Sequence, residues 1–130
     1  MIQNTHKKIN EQLCGVPIEL RNNYAKISLK TTSDMVVDDS NLIHGGFIFS
    51  LADYSAMLAI NHPNLVLGGA EIKFIRPVIA GDIIIAEGEL IEIEGKKHIV
   101  KVHVYNNEEK VCEGKFFCFI PEKHVLNNSI

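Results

Sequence analysis

Hydrophobic and polar positions along the chain fall into two periods. From Tyr24 to Lys30 they alternate, with Ala25, Ile27 and Leu29 on one face and Lys26, Ser28 and Lys30 on the other, which predicts a strand with one wet face. Polar Thr31 to Asn41 follows and reads as a loop. From Phe47 to Ile60 only Ser50, Asp53 and Ser55 interrupt apolar or aromatic residues. These lie on nearly every side of a helical cylinder, so the spacing predicts a buried helix over His44 to Asn61, stopped by Pro63. The remainder reads as β: Leu65 to Arg76, Ile83 to Ile93 with a bend at Gly88, His98 to Tyr105, and Val111 to Ile120. Turns are expected at Gly81-Asp82, Gly95-Lys96 and Asn106-Asn107. Thr5 to Cys14 is expected to form a short helix capped by Asn4 or Thr5 and ended at Gly15.

A strand, one all-round apolar helix and four strands joined by short turns specify an α+β fold. Short turns imply antiparallel neighbours, and such a helix satisfies its surface only inside a curved sheet that wraps around it. With 130 residues and no internal repeat or linker, residues 1–130 read as a single domain, in which 1–16 hold the N-terminal helix. Thirteen Lys and Arg against sixteen Asp and Glu offer no basic face for nucleic acid. The longest apolar run is too short to span a bilayer, and no signal-peptide pattern opens the chain. Three cysteines in no framework spacing point to a reducing, cytoplasmic setting.

Asp53 is out of place among Leu51, Ala52 and Tyr54. Burying even a neutral polar group without a partner costs roughly 2–7 kcal/mol, against the roughly 5–15 kcal/mol that holds a domain together. Gly46, Ser50, Asp53 and Met57 form one stripe at spacings of four, three and four, which suits a cleft or subunit interface. Asp53 reads either as a structural acid in a hydrogen-bonded contact or as a nucleophile or general base. His44-Gly45-Gly46 opens the helix, and its unpaired N–H groups suit a carbonyl that gains negative charge, or simply allow a tight entry. His98 and His103 are five apart on a strand and point to opposite faces; Cys112 and Cys118 lie far apart on theirs, so no metal site is expected.

His44-Gly45-Gly46 with Asp53, followed by Arg76-Pro77 and Gly81-Asp82, resembles the hotdog-fold acyl-CoA thioesterases of the phenylacetate-degradation type. The resemblance implies a hotdog fold paired into dimers and often tetramers, with acyl-CoA as substrate and no cofactor beyond the coenzyme A that the substrate carries. Gly45 is then the N–H donor to the thioester carbonyl, and Asp53 the carboxylate that attacks it or activates water. His44, Gly46, Asn41, Asp38, Gly68, Gly69 and Arg76 are the expected substrate contacts, Arg76 toward the phosphates of coenzyme A. Family members commonly place Asn where Asp38 stands, and a Ser or Thr on the strand after the helix, where LVLGGAEIKF has neither. Asp38 is expected to raise the pKa of Asp53 by like-charge repulsion. Two other readings keep this architecture: an acyl-thioester hydratase or dehydratase with His44 as base, and a non-catalytic acyl-CoA-binding module. Phe47, Tyr54 and Met57 are expected to line the acyl pocket. Gly45 and Asp53 lie about 12 Å apart along one helix, too far to share a carbonyl, so each is expected to act with a neighbouring subunit.

Overall fold

The computed structural model describes residues 1–127. In chain order it contains α1 (Glu11–Cys14), β1 (Val16–Arg21), β2 (Tyr24–Lys30), α2 (Gly45–Ile60), β3 (Val66–Phe74), β4 (Ile83–Glu94), β5 (Lys97–Asn106) and β6 (Glu109–Phe119). The strands form one antiparallel sheet in the order β1-β2-β4-β5-β6-β3, curled around α2. This is the hotdog arrangement the resemblance implies.

α2 forms where its pattern predicts. His44 caps its start, and Asn61 closes it in the left-handed conformation at φ 56°, donating its N–H to the Met57 carbonyl at 2.8 Å. Leu51, Ala56 and Leu58 have no exposed surface, and Tyr54 and Met57 are about as fully enclosed. They meet Ala25, Ile27 and Leu29 of β2 and the row Val100, Val102 and Val104 of β5 in one core. Burying each large aliphatic chain contributes roughly 1.5–3 kcal/mol, which is what holds helix and sheet together.

Two expectations need correction near the N-terminus. The helix predicted over Thr5–Cys14 is a single turn, capped by Asn10, whose side chain accepts from the Gln12 and Leu13 N–H groups. His6 at φ 55° breaks any helix before it, and the polar run through Lys7, Lys8 and Asn10 offers no apolar face to hold one. Beyond Gly15 lies an edge strand, β1, that the sequence pattern concealed, with a register shift between Pro17 and Glu19. Pro17 cannot donate to a ladder, so it sits where proline is tolerated, at the sheet's border.

The segment before β1 crosses the outer side of α2. Gln3 Nε2 donates to the Tyr54 hydroxyl at 3.1 Å, the His6 ring stacks on Tyr54, and Asn4 N–H donates to Asn61 Oδ1 at 2.7 Å. Ser50 Oγ donates to Cys14 Sγ at 3.1 Å.

Gly88 does not bend β4. It stays in register with Ala25 and Val102, and the irregularity comes at Leu90–Glu92. A Cβ at Gly88 would lie 2.6 Å from the Ser55 carbonyl oxygen, so the missing side chain lets α2 pack directly on the sheet. The turn expected at Asn106-Asn107 falls one residue later, with Asn107 at φ 56°. Gly88→Ala is therefore expected to push helix from sheet and cost roughly 1–3 kcal/mol in a urea-unfolding measurement. An unchanged midpoint would show that the contact is dispensable.

Candidate active site

α2 begins with donors. Gly46 N–H is taken by His44 Nδ1 at 2.7 Å and Phe47 N–H by the His44 carbonyl at 3.1 Å. Gly45 N–H has no acceptor among the described residues, and it sits at the positive end of a four-turn helix. The bond to Gly46 makes the His44 ring part of the cap. A Cβ at Gly46 would stand 3.0 Å from that ring, so the glycine accommodates its own capping residue.

Two cavities flank this helix start. One, of about 290 Å³, is walled by Gly45, Ile48, Phe74, Arg76 and Pro77. Its cation, Arg76, is solvent-exposed and only loosely paired, with Glu109 at 4.0 Å. The other, of about 400 Å³, lies between α1 and α2, against Leu13, Cys14, His44, Gly46, Phe47 and Ser50.

Asp53 is partly buried, two turns along the helix from the start. Its Oδ1 is sealed from solvent and has no hydrogen-bond partner among the described residues. Burial alone pushes its pKa from the ordinary 3.8 to about 6. Within one chain Asp38 takes no part in this. Its Oδ1 accepts from Ser40 and Leu42 N–H groups and shapes the loop, and the Asn41 carbonyl accepts from Ala80 N–H. The Asp53 charge reaches the fully buried Cys118 on β6, whose thiol is held up at about 12, chiefly by burial.

The structure gathers His44, Gly45, Gly46 and Arg76 around one helix end and leaves Asp53 outside both cavities beside it. Gly68 is used otherwise. A Cβ there would fall 2.3 Å from the Phe119 ring, on the sheet face away from α2, so the glycine makes room for Phe119 rather than for a ligand. Gly69 faces Phe117 beside a register shift between Leu67 and Gly69. Tyr54 and Met57 belong to the core and line neither cavity, while Phe47 does line one. Leu13 and Phe74 escaped the sequence reading because only the tertiary fold brings them to the helix start. Among the described residues no group of three or more His, Cys, Asp and Glu could hold a metal ion. No helix among them is long and apolar enough to cross a membrane.

The raised pKa of Asp53 has a consequence for stability. The native state binds this proton more tightly than the unfolded chain, so the contribution is greatest below pH 3.8 and is lost as pH rises through 6. A shift of about two units corresponds to roughly 3 kcal/mol. Asp53→Asn is thus expected to stabilise the protein at pH 8 by up to roughly that amount, with the gain vanishing by about pH 3. Unfolding curves at both values check this, and a gain independent of pH would contradict it.

Comparison with known proteins agrees with the fold. The chain is 51% identical over 113 residues to methylthioribose-1-phosphate isomerase of Aquifex aeolicus, covering 87% of this chain and 25% of that protein. It is 32% identical over 119 residues to the transcription factor FapR of Caldanaerobacter subterraneus subsp. tengcongensis, covering 91% of this chain and 60% of that one. The chain thus spans a quarter of the first relative's length and three-fifths of the second's. Against the acyl-coenzyme A thioesterase PaaI of Escherichia coli identity is 27% over 115 residues, covering 83% and 81%. Among solved structures, the uncharacterized protein PH1136 from Pyrococcus horikoshii superposes with a TM-score of 0.96 at 51% identity over 98% of both chains. The pattern that defines the Thioesterase superfamily matches residues 40–113, from the loop before α2 into β6, and with the hotdog fold around it the chain belongs to that superfamily.

Proposed function

We propose that the protein is an acyl-CoA thioesterase, hydrolysing the thioester to a free acid and coenzyme A at a site shared between two copies of the chain. The observation that carries this reading is the Asp53 carboxylate, which has an unpartnered oxygen sealed from solvent and a pKa of about 6. A group poised there is ionised at neutral pH and still basic enough to take a proton. Gly45 supplies the complementary part, an unoccupied N–H at a helix start, aimed where a carbonyl oxygen gains charge.

One chain cannot combine the two, because about 12 Å of helix separates them. β3 lies at the sheet border with one side of its ladder open, and a second copy pairing there would bring its α2 alongside the first. Asp53 of one protomer then works with the partner's Gly45. Asp53 acts as base on a water, or as nucleophile with water following. Either route adds hydroxyl to the acyl carbon and leaves the sulfur as the thiol of coenzyme A. Arg76, beside Gly45, is the cation for the coenzyme's phosphates. The reaction involves no redox change and calls for no cofactor.

A second reading is a module that binds acyl-CoA without turning it over. Similarity to FapR, a transcription factor, favours it, as does the absence of any hydroxyl on β3. Release of free coenzyme A from an acyl-CoA panel separates the two.

For the thioesterase, Asp53→Asn is expected to lower the rate at least about a hundredfold while binding persists. The wild-type rate is expected to rise with pH to a plateau above about 6. Gly45→Pro removes the N–H at a helix position where proline is well tolerated, and is expected to be inactive as well. Refolding the two inactive variants together is expected to restore up to about a quarter of the activity, since half the two-fold dimers are mixed and each holds one intact site. No recovery in verified mixed dimers would overturn the shared site, and undiminished activity of Asp53→Asn would remove it from the chemistry.

A further inference from the structure

The helix start stands between two unlike cavities. The side containing Gly45 and Arg76 offers a cation, whereas the side between α1 and α2 offers hydrocarbon from Leu13 and Phe47. The polar groups on this second side are mostly occupied, the His44 Nε2–H being the side-chain donor left without an acceptor among the described residues. Ser50 Oγ bonds Cys14 Sγ, and His44 Nδ1 accepts from Gly46 N–H. A neutral, apolar group entering there leaves little polar surface unpaired, while a carboxylate would meet a single neutral donor, the His44 Nε2–H, and no cation. At about 400 Å³ the space falls within the roughly 300–1,000 Å³ of ordinary small-molecule sites.

Leu13 also lines a third cavity, of about 480 Å³, where Val16 and Leu29 supply apolar wall and Glu11, Lys30 and Asp34 supply charge at its margins. One side chain thus stands in the walls of both spaces. It belongs to a single helical turn with no fully buried residue, fixed by the Asn10 cap and the Ser50–Cys14 bond. We infer that the cavity between α1 and α2 takes the acyl chain, that the acyl group is a neutral hydrocarbon, and that Leu13 is the specificity-determining residue that sets its greatest length. This rests on the acyl-CoA reading above and adds to it the substrate class and the residue that measures it.

The test is a series of straight-chain acyl-CoAs of increasing length, with one carrying a terminal carboxylate at matched length. kcat/KM is measured for the wild type, Leu13→Ala and Leu13→Phe. Dissociation constants for the same series are taken calorimetrically in Asp53→Asn, alone and combined with each Leu13 change, after circular dichroism shows each variant folded. Preference is expected to rise roughly fourfold per added methylene until the chain meets Leu13, then to fall. Leu13→Ala should move that break at least two carbons longer and Leu13→Phe should move it shorter, with the carboxylated chain at least tenfold poorer. Hydrolysis with a break that neither substitution moves, or equal use of the carboxylated chain, overturns the inference and leaves the thioesterase reading standing. Binding with a break that follows Leu13 but no hydrolysis overturns the enzyme and supports the acyl cavity. Failure to bind any member overturns both.

Discussion

A helix that is apolar around most of its circumference is tolerable in water only if every side of it is covered, and the molecule is organised by that requirement. The sheet covers one side. β4 approaches so closely at Gly88 that no side chain fits between strand and helix backbone. The N-terminal residues cover another, through Gln3 and His6 on Tyr54. The one carboxylate of the helix lies within electrostatic reach of Cys118 on β6. Electrostatic tension at Asp53 is thus a by-product of the same enclosure that stabilises the core: the more completely the helix is wrapped, the more basic the acid becomes.

The helix start follows a related logic. Its first N–H groups have no partners within the helix, and the chain uses two of them locally, through the His44 ring and the His44 carbonyl. Of these, only the Gly45 N–H is left without an acceptor among the described residues. Donor and acid therefore arise from opposite causes, one from a helix end that runs out of acceptors and the other from a helix middle that excludes water. A single α2 cannot bring the two together, so the proposed reaction depends on the open ladder edge of β3.

Much of this was legible in the residues, for reasons that differ by element. β2 could be read end to end because strict alternation has no other explanation, and α2 because composition, glycines and Pro63 agreed on both boundaries. Asp53 stood out because a charge within an apolar run is costly wherever the run folds. β1 was hidden by Pro17 and by apolar residues, Val16 and Ile18, that face solvent at the border instead of a core. The roles of the glycines were the least legible. Gly68 and Gly88 look alike in sequence to Gly45, but one admits an aromatic ring and the other a helix backbone, and only the tertiary contacts distinguish them. Leu13 belongs to the same class, since a lone leucine in a polar stretch gives no hint that it separates two spaces.

The covering of α2 by the N-terminal residues also bears on how the chain acquires its form. Gln3 meets Tyr54 across 51 positions, and Asn4 meets Asn61 across 57. These residues are made before α2 and have nothing to bind until it exists, and α2 has nowhere to settle until the later strands curl around it. Contacts of such long separation are slow to form. Assembly from the ribosome therefore runs against the order of synthesis at this point: the segment ahead of β1 waits, solvated, for the helix and strands that follow it to make its docking place.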